Sequence, residues 1–299
     1  MGFPARFATF VAVGVGPLVA SACVVQVESK DYTAREERRF TVSGTPDLTL
    51  VTFDGPVEVR AWDRPEVLVE IHKAGSSKEA VDAIAVLAEQ EGGRVRVEAR
   101  EPSHTEWSIG GLQASRQARL VASVPRTCNV LARSGDGSIH AERVSGRLEL
   151  RTGDGTVRGL GLDGDIRIET GDGSVKLQDV NGAVDVHTGD GSIFASGQLK
   201  AIRAETGDGS ISLTATPGSA MTDTWNISTG DGGVVIAVPE QFGADIDALT
   251  KDGVIRVDES LGASSVPTGD RRTLRATIGS GGRVLRIRTN DGTITIRKS

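Results

Sequence analysis

The sequence is poor in several things that would each suggest a function. Cysteine occurs only at Cys23 and Cys128, so there is no disulfide framework to argue from and stability has to come from packing. Aromatic residues make up 4% of the chain while glycine reaches 38 residues, a balance that favours many short strands and tight turns over a large helical core. Clustered positive charge is missing: the net charge is -6 and basic residues alternate with acidic ones throughout. That excludes nucleic acid as a partner, because releasing phosphate counterions requires massed Lys and Arg. A Gly-x-Ser-x-Gly elbow is also missing, as is any pair of histidines at ligand spacing among His72, His104, His140 and His187. The expectation is a non-enzyme with no catalytic residue, no cofactor and no metal site. A length of 299 residues admits one large domain or two ordinary ones.

One long apolar run is present, at the start. Arg6 precedes an uncharged stretch over residues 7–22 that ends in Ala20-Ser21-Ala22. At 16 residues it is shorter than a membrane span of about 20, so residues 1–22 are expected to be a cleaved signal peptide and residues 23–39 a linker or anchor segment. Cys23 directly after the small residues resembles the lipobox of bacterial lipoproteins, whose thiol is acylated. The sequence departs from that pattern in having Ala20 where leucine is usual, with Leu18 two residues further back. Ordinary cleavage at the Ala-x-Ala site is the other reading, and either one exports the chain. Cys128 shares the face of Val130 and Ala132 in an alternating strand, which reads as a buried and inert thiol.

What dominates the remainder is a repeat. Thr-Gly-Asp-Gly-Ser/Thr-Ile/Val occupies residues 152–157, 170–175, 188–193 and 206–211, preceded by Ser-Gly-Asp-Gly-Ser-Ile at 134–139. Asp136, Asp154, Asp172, Asp190 and Asp208 are therefore 18 residues apart, with looser copies at Asp231, Asp252 and Asp291 and a degenerate one at 52–57. Gly155, Gly164, Gly173, Gly182 and Gly191 halve that period, so one coil is two strands and two turns. Within each coil the strands alternate: Ile166, Ile168 and Thr170 point inward and Arg167 and Glu169 outward.

A lone coil cannot bury its apolar face, whereas stacked coils can. The predicted fold is all-β, a parallel β-solenoid or β-helix of about 18 residues per coil over residues 40–299, irregular at 40–125 and regular at 126–299. Asp-Gly at each corner gives a residue that tolerates positive φ next to a side chain that can bond its own turn. Stacking brings together the outward columns Glu149, Arg167, Asp185, Arg203 and Arg151, Glu169, His187, Glu205, whose signs alternate favourably. In the N-terminal third, Val81, Ile84, Ala85 and Ala88 recur at helical spacing. That predicts one short helix within residues 76–90, N-capped by Ser77, stopped at Gly92-Gly93 and covering an edge or end of the sheet.

The segments Glu36-Glu37-Arg38-Arg39-Phe40-Thr41-Val42, Gly55-Pro56-Val57-Glu58-Val59 and Val121-Ala122-Ser123-Val124-Pro125-Arg126, the last leading into Gly135-Asp136-Gly137-Ser138-Ile139, resemble the bacterial putative-adhesin domain family of unknown function. The resemblance runs from about Phe40 to the C-terminus. It implies a right-handed parallel β-helix-like solenoid and an envelope location, and it supplies no catalytic residues.

The aspartate column has two readings, turn chemistry or cations held between coils. Its order differs from the Gly-Gly-x-Gly-x-Asp of calcium-binding repeats, so no metal is assigned. Ser138, Ser174, Ser192 and Ser210 read as repeat positions beside the turn, and Trp107 as either a partner contact or a ring folded onto a strand end. The functional expectation is an exported envelope protein, a lipoprotein through Cys23, whose repetitive surface binds an envelope protein or glycan. The alternatives are an envelope-stress sensor or self-assembling scaffold, and a polysaccharide-active β-helix enzyme.

Overall fold

Alternation of apolar and polar residues puts one face of every strand out of water, and the computed structural model, which describes residues 32–101, 115–266 and 271–299, shows how those faces meet. All of them lie in a unit spanning Asp31–Ser299. The strands form one large sheet that folds back on itself as two ladders enclosing an apolar core. The ladder ahead of the aspartates has a central run of Asp47–Thr52, Asn129–Arg133, Ser145–Thr152, Asp163–Thr170 and the second halves of Val175–Thr188 and Ile193–Thr206. The ladder behind them runs through Val57–Trp62, Ile139–Glu142, Val157–Leu160, the first halves of the same two long strands, Ile211–Ala215 and Val234–Val238. These neighbours are all parallel, and in the middle of the stack Leu148 pairs with Ile166, Ile166 with Val184 and Val184 with Ile202. Ile166, Ile168, Val184 and Val186 are buried, while Arg167 is exposed.

The ends of the sheet are not parallel. Tyr32–Thr41 pairs antiparallel with Glu66–Gly75, which pairs antiparallel with Arg116–Pro125; at the other end Thr273–Ile278 runs antiparallel to both Ala244–Thr250 and Ser264–Val266. Of these pairs, only Ser264–Val266 and Thr273–Ile278 are consecutive strands; the other three join strands with further strands between them in the chain. The edge strand Tyr32–Thr41 is laced with charge, Arg35 pairing with Glu70 at 2.8 Å and Glu36 with Lys73 at 2.5 Å, a composition that discourages pairing with other chains.

The predicted helix is much shorter than its periodicity suggested. It covers Lys78–Asp82, with the Ser77 hydroxyl accepting from the Ala80 N–H at 3.1 Å, and it packs on the edge strand and its neighbour. Ala85–Glu91 is a strand, antiparallel to Arg94–Arg100. Gly92, at φ 58°, is the turn of that hairpin; the open backbone of the adjoining strand outweighs a weak helical pattern.

The order of coils also departs from the order of the chain. Val284–Thr289 lies between Trp225–Thr229 and Ala244–Thr250, and Ile294–Lys298 between Val234–Val238 and Ile255–Val257. The C-terminal coil is thus wedged into the stack with partners on both sides. Next to it, buried Trp225 packs on Phe242 at 5.3 Å between centroids and donates Nε1–H to the Lys200 carbonyl at 3.1 Å.

The repeat's threonine is explained at the Asp-Gly corner. Thr188 is fully buried, and its hydroxyl faces the carbonyls of Gly171 at 2.9 Å and Gly173 at 3.1 Å in the preceding coil. The Gly191 N–H of its own coil donates to the same oxygen at 3.3 Å. Thr152, Thr170, Thr206, Thr229, Thr250 and Thr289 repeat the bond to the coil before them in the stack. Thr188→Val should therefore lose about 1–3 kcal/mol by stranding buried polar groups. Thr188→Ser should lose less, since Ser134 makes the equivalent bond to Gly55 at 2.8 Å; chemical denaturation of both variants checks the ranking.

Gly55 in the degenerate copy has φ 122°, but the Asp-Gly glycines of the other copies, Gly137 to Gly292, do not use the positive φ that glycine permits. That conformation belongs to the opposite corner, at Gly146, Gly164, Gly182 and Gly197, with φ of 140°, 118°, 146° and 142°. Among the described residues no helix is long and apolar enough to cross a membrane.

Candidate binding face

Of the residues singled out in the sequence, Cys23, His104 and Trp107 lie outside the described residues. Cys128 is buried, and burial pushes its thiol up to about 12, which leaves it protonated and inert at neutral pH. The three described histidines each stand beside one glutamate, His72 at 3.3 Å from Glu70, His140 at 3.9 Å from Glu142 and His187 at 3.7 Å from Glu205.

Asp136, Asp154, Asp172, Asp190 and Asp208 are exposed in a column. Each carries an Oδ1 over the first glycine of the next coil, at Gly153, Gly171, Gly189, Gly207 and Gly230, and the Asp172 N–H donates to Asp154 Oδ1 at 3.3 Å. The carboxylates thus reach forward across coils, not back to their own turn as expected from the sequence. Among the described residues no three His, Cys, Asp or Glu side chains are grouped so as to hold a metal ion.

The two outer faces of the solenoid differ in how their charges are used. On the ladder ahead of the aspartates, the columns found in sequence are in register, and their ion pairs run mostly along a strand as well as between strands. Arg151 reaches Glu149 at 2.6 Å and Glu169 at 3.3 Å, Arg167 reaches Glu169 at 2.9 Å, and Arg203 reaches Glu205 at 3.0 Å. The Glu169 carboxylate raises the Arg167 pKa above its ordinary value. A shallow groove of about 450 Å³ crosses this face, lined by both signs of charge, including Arg147, Asp165, Arg167, Asp185 and Arg203. Of these, Arg167 and Arg203 are paired with the glutamates two residues along.

The face behind the aspartates has three rows that are not so engaged. Ser138, Thr156, Ser174, Ser192 and Ser210 immediately precede successive strands, and each offers its carbonyl to the amide that opens the strand of the coil before. Ser138, Ser174 and Ser210 are exposed and Thr156 and Ser192 half-buried, and no side-chain hydrogen bond holds any of them among the described residues. Two residues along, His140, Arg158, Lys176, Phe194 and Ser212 pair in register. Arg158 and Lys176 are exposed and form no ion pair among the described residues, and Phe194 is 45% exposed. A third row includes Leu160, 37% exposed, opposite Gln178.

Two cations directly opposed on neighbouring strands repel each other, and an exposed phenyl ring beside them forfeits burial. Among the described residues no ion pair or ring contact offsets either cost. Chemically the rows can donate hydrogen bonds, hold an anion and stack on a flat apolar surface. The serines here read in sequence only as turn positions, and Arg158, Lys176 and Phe194 drew no attention. Reading the column 140, 158, 176, 194 as the two charge columns were read would have exposed the like-charged neighbours.

Among solved structures the chain is similar to a putative adhesin from Bacteroides fragilis (10% identity, 88% of this chain and 97% of that one, TM-score 0.39). It is also similar to a putative cell adhesion protein from Clostridium sporogenes (13%, 90% and 100%, TM-score 0.31) and to a putative lipid binding protein from Parabacteroides distasonis (15%, 88% and 96%, TM-score 0.36). At those scores the likenesses carry no argument about what this chain binds. The sequence matches no curated protein. The family model described as Toastrack DUF4097 matches residues 47–297, which takes in both ladders and every copy of the repeat, and the chain belongs to that family.

Proposed function

We propose that the protein is an exported, non-enzymatic component of the cell envelope whose solenoid surface binds another envelope component, a protein or a glycan. The observation that carries this reading is the face behind the aspartates, where a row of hydroxyls, two cations and a phenyl ring stand without side-chain partners among the described residues. A core filled by stacked Ile, Val and Leu makes the molecule a rigid support for such rows, which suits display better than chemistry needing a closing site. Export follows from the uncharged stretch over residues 7–22, and acylation of Cys23 would hold the solenoid at a membrane surface.

Two measurements test the proposal. Mass spectrometry of the protein from its native envelope should find Cys23 as the acylated N-terminus. An intact Met1 would defeat export, and an unmodified N-terminal Cys23 would defeat the anchor alone. Purified protein mixed with washed envelope material should sediment with it in a saturable manner, and failure to do so would defeat the binding role.

A further inference from the structure

We infer that the face behind the aspartates takes an anionic polysaccharide, a chain of sugars bearing uronic-acid carboxylates, laid along the stack across successive strands. The inference rests on the binding role proposed above and names its ligand class. Arg158 and Lys176 are paired in register, exposed and without an acidic partner among the described residues. Neighbouring strands stand about 4.8 Å apart, a spacing close to the length of one pyranose unit. Carboxylates carried by such a chain reach both cations and remove the repulsion between them.

The flanking rows fit the rest of a sugar. Thr156, Ser174 and Ser192 repeat at the same spacing, and their hydroxyls, which make no side-chain hydrogen bond among the described residues, can exchange hydrogen bonds with a polyol. Phe194, opposite Lys176 on the next strand, presents an exposed ring to the apolar face of a pyranose.

Other occupants fit less well. An acidic peptide recognised by strand addition needs open backbone amides, and the backbones of these rungs are consumed by pairing on both sides. An anionic membrane attracts proteins through basic clusters of four or more, whereas this row offers two cations, Arg158 and Lys176.

Affinity electrophoresis and calorimetry of the full chain with polygalacturonate test the assignment, with fully methyl-esterified polygalacturonate, polyglutamate and phosphatidylglycerol vesicles as comparison probes. Wild type should bind polygalacturonate, more weakly as salt rises, and should not bind the esterified polymer. Arg158→Ser with Lys176→Ser should lower the affinity about tenfold or more, and Phe194→Ser should lower it as well. Arg147→Ser with Arg203→Ser on the opposite face should leave it unchanged. These side chains are exposed, so each variant should keep the wild-type melting temperature, and that is measured alongside.

Equal binding by the Arg158/Lys176 variant, equal binding of the esterified polymer, or tighter binding of polyglutamate or the vesicles would overturn the inference. Sedimentation with envelope material separates the two levels. If wild type and the Arg158/Lys176 variant sediment equally, the ligand assignment falls and the binding role stands. If wild type does not sediment, the binding role itself falls.

Discussion

Ile168→Asp should lower the unfolding free energy by roughly 4–5 kcal/mol, enough to unfold a marginal domain. Ile168 is fully buried, and its in-register neighbours on either side are Leu150 and Val186, both also at 0% exposure. A carboxylate there meets no cation, so it must either ionise in an apolar stack or bind a proton, and the isoleucine's packing is lost in both cases. Arg167→Ser, one residue away, removes an exposed side chain whose hydrogen bonds run to the exposed edge of Glu169. It should leave the urea midpoint close to wild type. Equal destabilisation of the two variants would refute the assignment of inward and outward faces.

Gly173→Ala should cost about 3 kcal/mol or more, although adding one methyl group elsewhere in a chain is nearly neutral. A Cβ at Gly173 would stand 2.1 Å from the carbonyl oxygen of Gly155 and 2.6 Å from Thr170 Oγ1. The first of these is backbone in the adjacent coil, so relief requires two coils to move apart, and that breaks the threonine bonds that span them. Gly93→Ala is the matched control: nothing lies within 4 Å of its Cβ position, and with fewer unfolded conformations to lose it should be neutral or stabilised by up to about 1 kcal/mol. Thermal or urea unfolding of both variants checks the contrast. Comparable losses at the two positions would mean that the coils are not held as close as the carbonyl contact requires.

Much of the middle of the molecule was legible because its period is short and its signals are local. Alternation in residues 163–170 and 181–188 identified the buried side of each strand from sequence alone, and a strict spacing between aspartates placed Arg167 beside Asp185 and Glu169 beside His187. The roles of the corner residues were less legible. The aspartate drew the attention, but the threonine carries the bonds between coils and the glycine allows the carbonyl contact. Both of those roles depend on atoms in another coil, which a single repeat does not contain. The candidate face was missed for a related reason: Arg158, Lys176 and Phe194 are unremarkable along the chain, and only their lateral neighbours make them conspicuous.

By itself, then, the sequence determined that the chain is built of strands, which side of the central strands is buried, and that successive repeats stack, because apolar alternation and a fixed period are properties of consecutive residues. Tertiary structure alone decided the ends and the order. Ala85–Glu91 became a strand because the open edge of Arg94–Arg100 was available to pair with it, and Val284–Lys298 entered between two earlier coils because a repeat accepts any neighbour of matching face and corner. Local pattern fixes what a strand can pair with, while the competition among equivalent partners is settled only when the whole chain is packed.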